Sequence, residues 1–214
     1  MKRREFALAA SVGLAGLTAT GVYAQARKPD AGADYLVLDK KAPVEAAAGK
    51  IEVVEFFWYK CPHCNAFEPA LESWIKQLPS DVALRRVPVG FRDDFAPLQR
   101  LFYALEAMGQ LDKLHARVFA TIHVQKKPLD TGPQIADWVA EQGVEKAKFM
   151  EQYNSFSVST KVTKATQLQN LYRVEGVPAM GVAGRFYTDG TLSKNMDRAL
   201  QTVDFLIGEV RAKR

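Results

Sequence analysis

The chain has 214 residues and a formal net charge of +5, and it is long enough for one globular domain with its own hydrophobic core. Apolar residues make up 48% and charged residues 25% of the sequence, which are ordinary values for a soluble protein. The charges are well mixed, with no basic stripe interleaved with aromatic residues, so the composition gives no support for nucleic-acid binding.

The first residues have the organisation of a secretory signal peptide. Three basic residues at 2–4 precede an apolar run over 6–22, and small residues stand at Val22 and Ala24, the positions that a signal peptidase reads. We therefore predict export and removal of residues 1–24, which would leave 26 basic and 23 acidic residues. A retained membrane anchor, cleavage two residues later and a twin-arginine export route are the alternatives.

The predicted elements give β-rich ends around a helical middle. In chain order they are a strand at 35–38, a strand at 51–59, a helix over 67–78 with Pro69 inside it, a strand at 82–89, helices over 98–108, 111–122, 131–139, 149–153 and 158–171, strands at 179–183 and 185–188, and a helix over 200–210. Residues 25–34 are predicted to be a flexible leader. The pattern predicts one α/β domain at 25–92 and 166–214, with a helical insertion at 93–165.

The sequence contains two cysteines, Cys61 and Cys64, in a Cys-Pro-His-Cys motif between a strand and a helix. So close a pair cannot join distant segments, and closing so small a loop constrains the unfolded chain little. A zinc site needs two further ligands, and the other histidines, His115 and His123, are isolated in the helical middle, where we expect them to be packed or at the surface. Redox chemistry is favoured over a passive disulfide and over zinc.

The position of this motif explains how it would react. Cys61 is predicted at the helix N-terminus, where unpaired N–H groups and the helix dipole favour a thiolate. His63 adds positive charge, Pro62 restricts the turn, and Cys64 is the resolving cysteine. Because a thiolate is both the attacking and the leaving species in disulfide exchange, stabilising it in the reduced form makes the disulfide oxidising.

The segment from Val54 to Cys64 (VEFFWYKCPHC), followed by Phe67-Glu68, resembles the active-site segment of the DsbA family of bacterial periplasmic thiol:disulfide interchange proteins. The helical insertion and the late Val177-Pro178 also match the plan of that family. The resemblance implies a thioredoxin fold interrupted by a helical domain, oxidation of newly exported proteins, and reoxidation by a quinone-linked membrane partner similar to DsbB. The residues at 58–60 differ from the most familiar versions of the segment, which leaves the preference for partners open.

The resemblance also implies roles outside the motif. Val177-Pro178 is expected to be a cis peptide bond facing the cysteines, with the backbone of Val177 free to pair with an extended substrate. Glu55 is expected to be a buried acid that helps to move the proton of Cys64, although a position on a solvated face is the alternative. Glu68 is expected to be a surface charge on its helix, paired with Arg85 or Arg86.

The sequence therefore predicts a monomeric periplasmic dithiol oxidase that acts on unfolded chains with free cysteines. It predicts no metal site and no cofactor other than the redox-active disulfide. The candidate catalytic residues are Cys61, Cys64, His63, Pro62 and Glu55, and the candidate substrate-binding residues are Val177 and Pro178. A reductase or isomerase on the same fold, a non-catalytic folding helper and a metal-binding protein are the alternatives, although few residues precede the main strand to form the dimerisation region of an isomerase.

Overall fold

The computed structural model describes residues 27–213, so the predicted signal peptide and its cleavage site lie outside the described residues. The centre of the fold is a five-stranded mixed sheet with the order β1-β5-β4-β2-β3. The strands are β1 (Leu36–Val37), β2 (Ile51–Phe57), β3 (Val82–Pro88), β4 (Ala179–Val182) and β5 (Phe186–Asp189). Strands β2 and β3 are parallel, and the other pairs are antiparallel. Every residue of β2 is buried, as expected for a strand covered on both faces.

Seven helices accompany this sheet within the described residues. They are α1 (Pro62–Ile75), α2 (Ala96–Ala107), α3 (Leu111–His123), α4 (Gly132–Glu141), α5 (Lys146–Tyr153), α6 (Phe156–Leu171) and α7 (Met196–Arg211), with a 3₁₀ turn at Asp93–Phe95 before α2. Thr131 caps α4 in a reciprocal capping box with Gln134. No helix in the described part is both long enough and apolar enough to cross a membrane.

The two faces of β2 enter two different cores, because successive side chains of a strand point to opposite faces. Ile51 and Val53 pack into a core shared with α1 and α7. Val54 and Phe56 pack into a larger core shared with the helices between β3 and β4. The same alternation places Glu55 on the face of Val53, so its carboxylate lies on the side of the sheet that α1 covers.

The fold class is confirmed: this is an α/β protein with a thioredoxin fold, into which a run of helices is inserted. The inserted helices lie between β3 and β4 in the chain. The exact limits of the insertion stay a prediction, and residue 165 lies inside the continuous helix α6.

Several element ends differ from the prediction for local reasons. Strand β2 ends at Phe57 because the next residues turn, and the Cys61 N–H donates to the Trp58 carbonyl at 3.0 Å. Helix α1 continues through Pro69 and ends at Ile75, earlier than the predicted end. The prediction of a flexible leader was wrong for residues 27–34, the part of that segment that the structure describes. Asp34 in that segment is 4% exposed, because its carboxylate bonds to Arg27 and its carbonyl accepts from the hydroxyls of Thr188 and Ser193.

Candidate active site

Cys61 is the N-cap residue of α1, with extended backbone angles (φ −74°, ψ 118°). Its sulfur accepts a hydrogen bond from the Cys64 N–H at 3.4 Å, the type of bond that an N-cap side chain makes to the third helical residue. Pro62 occupies the first turn, where its missing N–H costs no hydrogen bond. The local sequence therefore folds so that the sulfur of Cys61 faces the positive end of a helix.

The thiol of Cys61 has a pKa lowered to about 6, mainly because the Cys64 side chain donates a hydrogen bond to its sulfur. The main-chain N–H groups of Cys64 and His63 and the positive charge of His63 lower the pKa further, while burial opposes them. Cys61 is 8% exposed, so its sulfur remains within reach of a partner. At neutral pH this sulfur is therefore mostly a thiolate.

Cys64 has the opposite environment. Its side chain is fully buried, and this burial raises the pKa of its thiol far above the ordinary value, with the hydrogen bond to Cys61 acting in the same direction. The structure holds both cysteines as free thiols. The pair is thus a slightly exposed thiolate beside a fully buried, protonated thiol, and the division between nucleophile and resolving cysteine stays a prediction.

Pro62 and His63, between the cysteines, are both exposed. The ring of His63 lines one side of a groove of about 450 Å³ that also contains Pro178, Lys194 and Met196. The groove is partly polar, because Asp189 and Lys194 line it as well.

The Val177-Pro178 peptide bond is cis, as the resemblance implied. Pro178 is buried, and the Val177 carbonyl accepts a hydrogen bond from the Cys61 thiol at 3.3 Å. The start of β4 and the start of α1 therefore meet at the sulfur of Cys61, although 116 residues separate the two partners in the chain.

Glu55 is fully buried, which contradicts the alternative of a solvated face. The pKa of its carboxyl is raised to about 8, mainly because the group is buried, and the negative charge of Glu68 acts in the same direction. Arg86 opposes both effects, since its Nε donates to Glu55 at 3.0 Å. The charge of Glu55 also contributes to the raised pKa of Cys64, so the two groups are electrostatically coupled.

Arg86 is the centre of a partly buried charge cluster that the sequence did not reveal. Its Nη2 lies 2.6 Å from Glu72 and 3.5 Å from Glu68, in addition to its bond to Glu55. The register of the sheet explains this cluster, because Arg86 of β3 lies directly beside Glu55 of β2. The guanidinium of Arg86 therefore contacts three carboxyl groups.

Glu68 was expected at the surface, and that was wrong. Its side chain is only 12% exposed, because α1 turns it toward the sheet, where it approaches Arg86 and His115. The predicted pairing with Arg86 is confirmed, whereas Arg85 pairs with Glu45 instead.

The two histidines of the helical middle both contact the loop before Cys61. His115 is buried, and its Nδ1 lies 2.8 Å from the hydroxyl of Tyr59. The Nε2 of His123 lies 2.8 Å from the carbonyl oxygen of Tyr59. Between residues 27 and 213, no group of three or more His, Cys, Asp or Glu side chains is arranged to hold a metal ion.

Comparison with known proteins identifies the family of this site. Residues 82–201 match the family model described as a DSBA-like thioredoxin domain. The chain belongs to the DsbA family. The thiol:disulfide interchange protein DsbA of Burkholderia cepacia is 43% identical over 199 residues, covering 93% of this chain and 94% of the relative. The protein of the same name from Pseudomonas aeruginosa is 40% identical over 209 residues, covering 98% of each chain.

Solved structures of the family share the fold. The crystal structure of Pseudomonas aeruginosa DsbA superimposes with a TM-score of 0.82 at 40% identity, covering 86% of this chain and 96% of that one. The crystal structure of the oxidoreductase DsbA from Xylella fastidiosa gives a TM-score of 0.82 at 31% identity, covering 87% of this chain and 100% of the other. The chain is accordingly a thiol–disulfide oxidoreductase, as the sequence predicted.

Proposed function

We propose that this DsbA-family protein is a periplasmic dithiol oxidase that donates its Cys61–Cys64 disulfide to newly exported proteins. The observation that carries this proposal is the opposite shift of two neighbouring thiols: the pKa of Cys61 falls to about 6, while that of Cys64 rises. A pair that favours one stabilised thiolate favours the reduced state, and its disulfide is therefore a strong oxidant.

The reaction proceeds in two exchanges. A substrate thiolate attacks the sulfur of Cys61, the Cys61–Cys64 bond breaks, and the electron pair leaves on Cys64. A second substrate thiolate then attacks the substrate sulfur of this mixed disulfide, and Cys61 leaves as a thiolate. The substrate loses two electrons and gains one disulfide, while the cysteine pair gains two electrons.

Glu55 supplies the proton that the first exchange requires. Cys64 leaves as a thiolate in a buried site where its pKa is raised, so the charge must be neutralised. With a pKa of about 8, the carboxyl of Glu55 still holds a proton at neutral pH and is the acid beneath the pair. The same group accepts the proton again when the disulfide is reformed.

Val177, Pro178 and His63 bind the substrate at the reacting sulfur. The Val177 carbonyl lies within hydrogen-bonding distance of Cys61, so the main chain of an extended substrate placed there has its cysteine beside the nucleophile. The groove beside His63 and Pro178 gives the substrate room on one side. Recognition through main-chain groups agrees with low selectivity for sequence.

The remaining partners follow from the family and from the predicted signal peptide. Exported chains with free cysteines are the substrates, and a membrane quinone reductase similar to DsbB reoxidises the pair. The protein acts as a monomer, without nucleic acid, and the cysteine pair is its redox group, with no further cofactor.

The test is the equilibrium of the cysteine pair with glutathione buffers, followed by trapping of free thiols. A reduction potential near about −120 mV, as in strongly oxidising dithiols, supports the oxidase. A potential near about −270 mV, as in thioredoxin-type reductants, contradicts the direction of transfer and favours a reductase on the same fold.

A further inference from the structure

Trp58, Tyr59 and Lys60, which precede Cys61, all contact the segment between β3 and β4. Trp58 stacks on Phe95, with ring centroids 4.0 Å apart and planes at 18°. The ammonium group of Lys60 forms an ion pair with Asp130, in the segment before α4. These residues are the ones in which the sequence departs from the most familiar form of the motif.

Tyr59, which lies between Trp58 and Lys60 in the sequence, is hydrogen-bonded to α3 at two points. It is fully buried, its hydroxyl bonds to Nδ1 of His115, and its main-chain oxygen bonds to Nε2 of His123 at 2.8 Å. A carbonyl oxygen only accepts hydrogen bonds, so Nε2 of His123 carries the hydrogen. Both histidines lie on α3, eight residues apart, so one helix holds both ends of the tyrosine.

The carbonyl that His123 holds lies inside the turn that leads to the nucleophile. This turn is closed by the hydrogen bond from the Cys61 N–H to the Trp58 carbonyl at 3.0 Å. Rotation of the peptide between Tyr59 and Lys60 would move Cys61 relative to the helix terminus, since a single residue separates them. A bond that fixes this peptide therefore fixes the position of the sulfur.

We infer that His123 is a positioning residue for the nucleophile: by donating to the Tyr59 carbonyl, it holds the turn so that the Cys61 thiolate meets the N–H groups of α1. The inference rests on the proposed role of Cys61. The N–H groups of the helix terminus stabilise the reduced thiolate form of Cys61 but not the disulfide form. A looser turn would weaken this stabilisation and make the disulfide less oxidising.

The size of the effect is set by one partly buried hydrogen bond. Such a bond changes an equilibrium constant by up to about tenfold. We therefore expect a variant that lacks the donor to lower the acid dissociation constant of Cys61 by about threefold to tenfold, and to change the equilibrium constant with glutathione in the same proportion.

The experiment compares His123→Gln with His123→Met in the full chain. Glutamine keeps an N–H donor at about the place of Nε2, whereas methionine fills similar space without a donor. The pH dependence of alkylation of Cys61 and the equilibrium with glutathione are measured for each. We expect H123Q to resemble the unmodified protein and H123M to show the raised pKa. If H123M does not fold, His123→Asn, whose shorter amide does not reach the carbonyl, replaces it.

The matched control is Thr121→Val, which removes the buried hydrogen bond from Trp138 to Thr121 on the same helix without touching Tyr59. We expect T121V to lower the melting temperature and leave the thiol pKa unchanged. The inference is overturned if H123M keeps the original pKa, if H123Q shifts as much as H123M, or if T121V shifts it equally. An unmodified protein whose Cys61 titrates like a free thiol contradicts the proposed function instead.

Discussion

Cys61 and Cys64 lie within one turn of the same helix, but their surroundings act on them in opposite directions. Around Cys61, hydrogen-bond donors gather at a helix terminus and lower the pKa of the thiol. Around Cys64 and the adjacent Glu55, burial dominates and raises both pKa values. The difference teaches that a single helical turn separates a region that stabilises negative charge from one that destabilises it, and the proposed disulfide exchange would use both.

The largest expected effect follows from removing one sulfur. Cys61→Ser should abolish disulfide transfer to a reduced two-cysteine peptide, because no Cys61–Cys64 disulfide can form, and the fully buried Cys64 should form no adduct with a partner. Cys64→Ser should instead accumulate an adduct at Cys61 when it meets a disulfide-bonded peptide, because no resolving thiol remains. Mass spectrometry distinguishes the two, and an adduct on Cys64 in C61S would reverse the assigned roles.

Loss of the charge at the centre of the partly buried cluster should have the next largest effect. Arg86→Met leaves Glu55, Glu68 and Glu72 without their common partner, and a buried polar group that loses its partner costs about 1–3 kcal/mol. Urea unfolding measures this loss. The control is Arg85→Met, which breaks an ion pair with the exposed Glu45 and should cost less than about 1 kcal/mol. Equal losses in the two variants would show that the cluster is not stabilised by Arg86.

The raised pKa of Glu55 predicts a pH-dependent stability. A carboxyl that titrates near 8 in the folded protein and near 4.5 in the unfolded chain binds its proton more tightly when folded. Its contribution to the free energy of unfolding is fully present below pH 4.5 and is lost as pH rises to about 8, with a slope of up to about 1.4 kcal/mol per pH unit.

Glu55→Gln removes this dependence. Unfolding should be measured on the oxidised protein, in which neither cysteine titrates. Relative to the unmodified protein, E55Q should become progressively more stable as pH rises from 5 to 8. Parallel stability curves for the two proteins would place the pKa of Glu55 at its ordinary value.

The smallest expected effect concerns the side chain between the cysteines. His63→Ser keeps the main-chain N–H that faces Cys61 and loses only the charge of the ring, which is a minor cause of the lowered pKa. We expect the pKa of Cys61 to rise by less than about one unit, a change under tenfold in the acid dissociation constant. A larger rise, measured from the rate of alkylation against pH, would make the imidazolium the main stabilising group in place of the hydrogen bonds.

What the sequence predicted well is local. The strand that ends before the motif and the helix that starts at it both depend on neighbouring residues, and each is found in the structure. The cis bond at Val177-Pro178 and the burial of Glu55 were expected from the resemblance to a family, because no local pattern specifies them.

What the sequence did not predict depends on contacts between distant segments. Arg86 reaches Glu55 through the register of two parallel strands, and the histidines of α3 reach Tyr59 across the junction between the sheet and the inserted helices. A helical periodicity shows that Glu68 lies on one side of α1, but it does not show that the side faces a guanidinium. These contacts required the fold itself.

The central claim is that the terminus of α1 stabilises a thiolate at Cys61, and the most direct test is the rate of iodoacetamide alkylation of the reduced protein between pH 4 and pH 10. Cys64 is buried and should not compete. A single titration with a midpoint at a pH of about 6 is the predicted result. A midpoint near about 8.5, the value of a free cysteine, would contradict it and would remove the physical basis for a strongly oxidising disulfide.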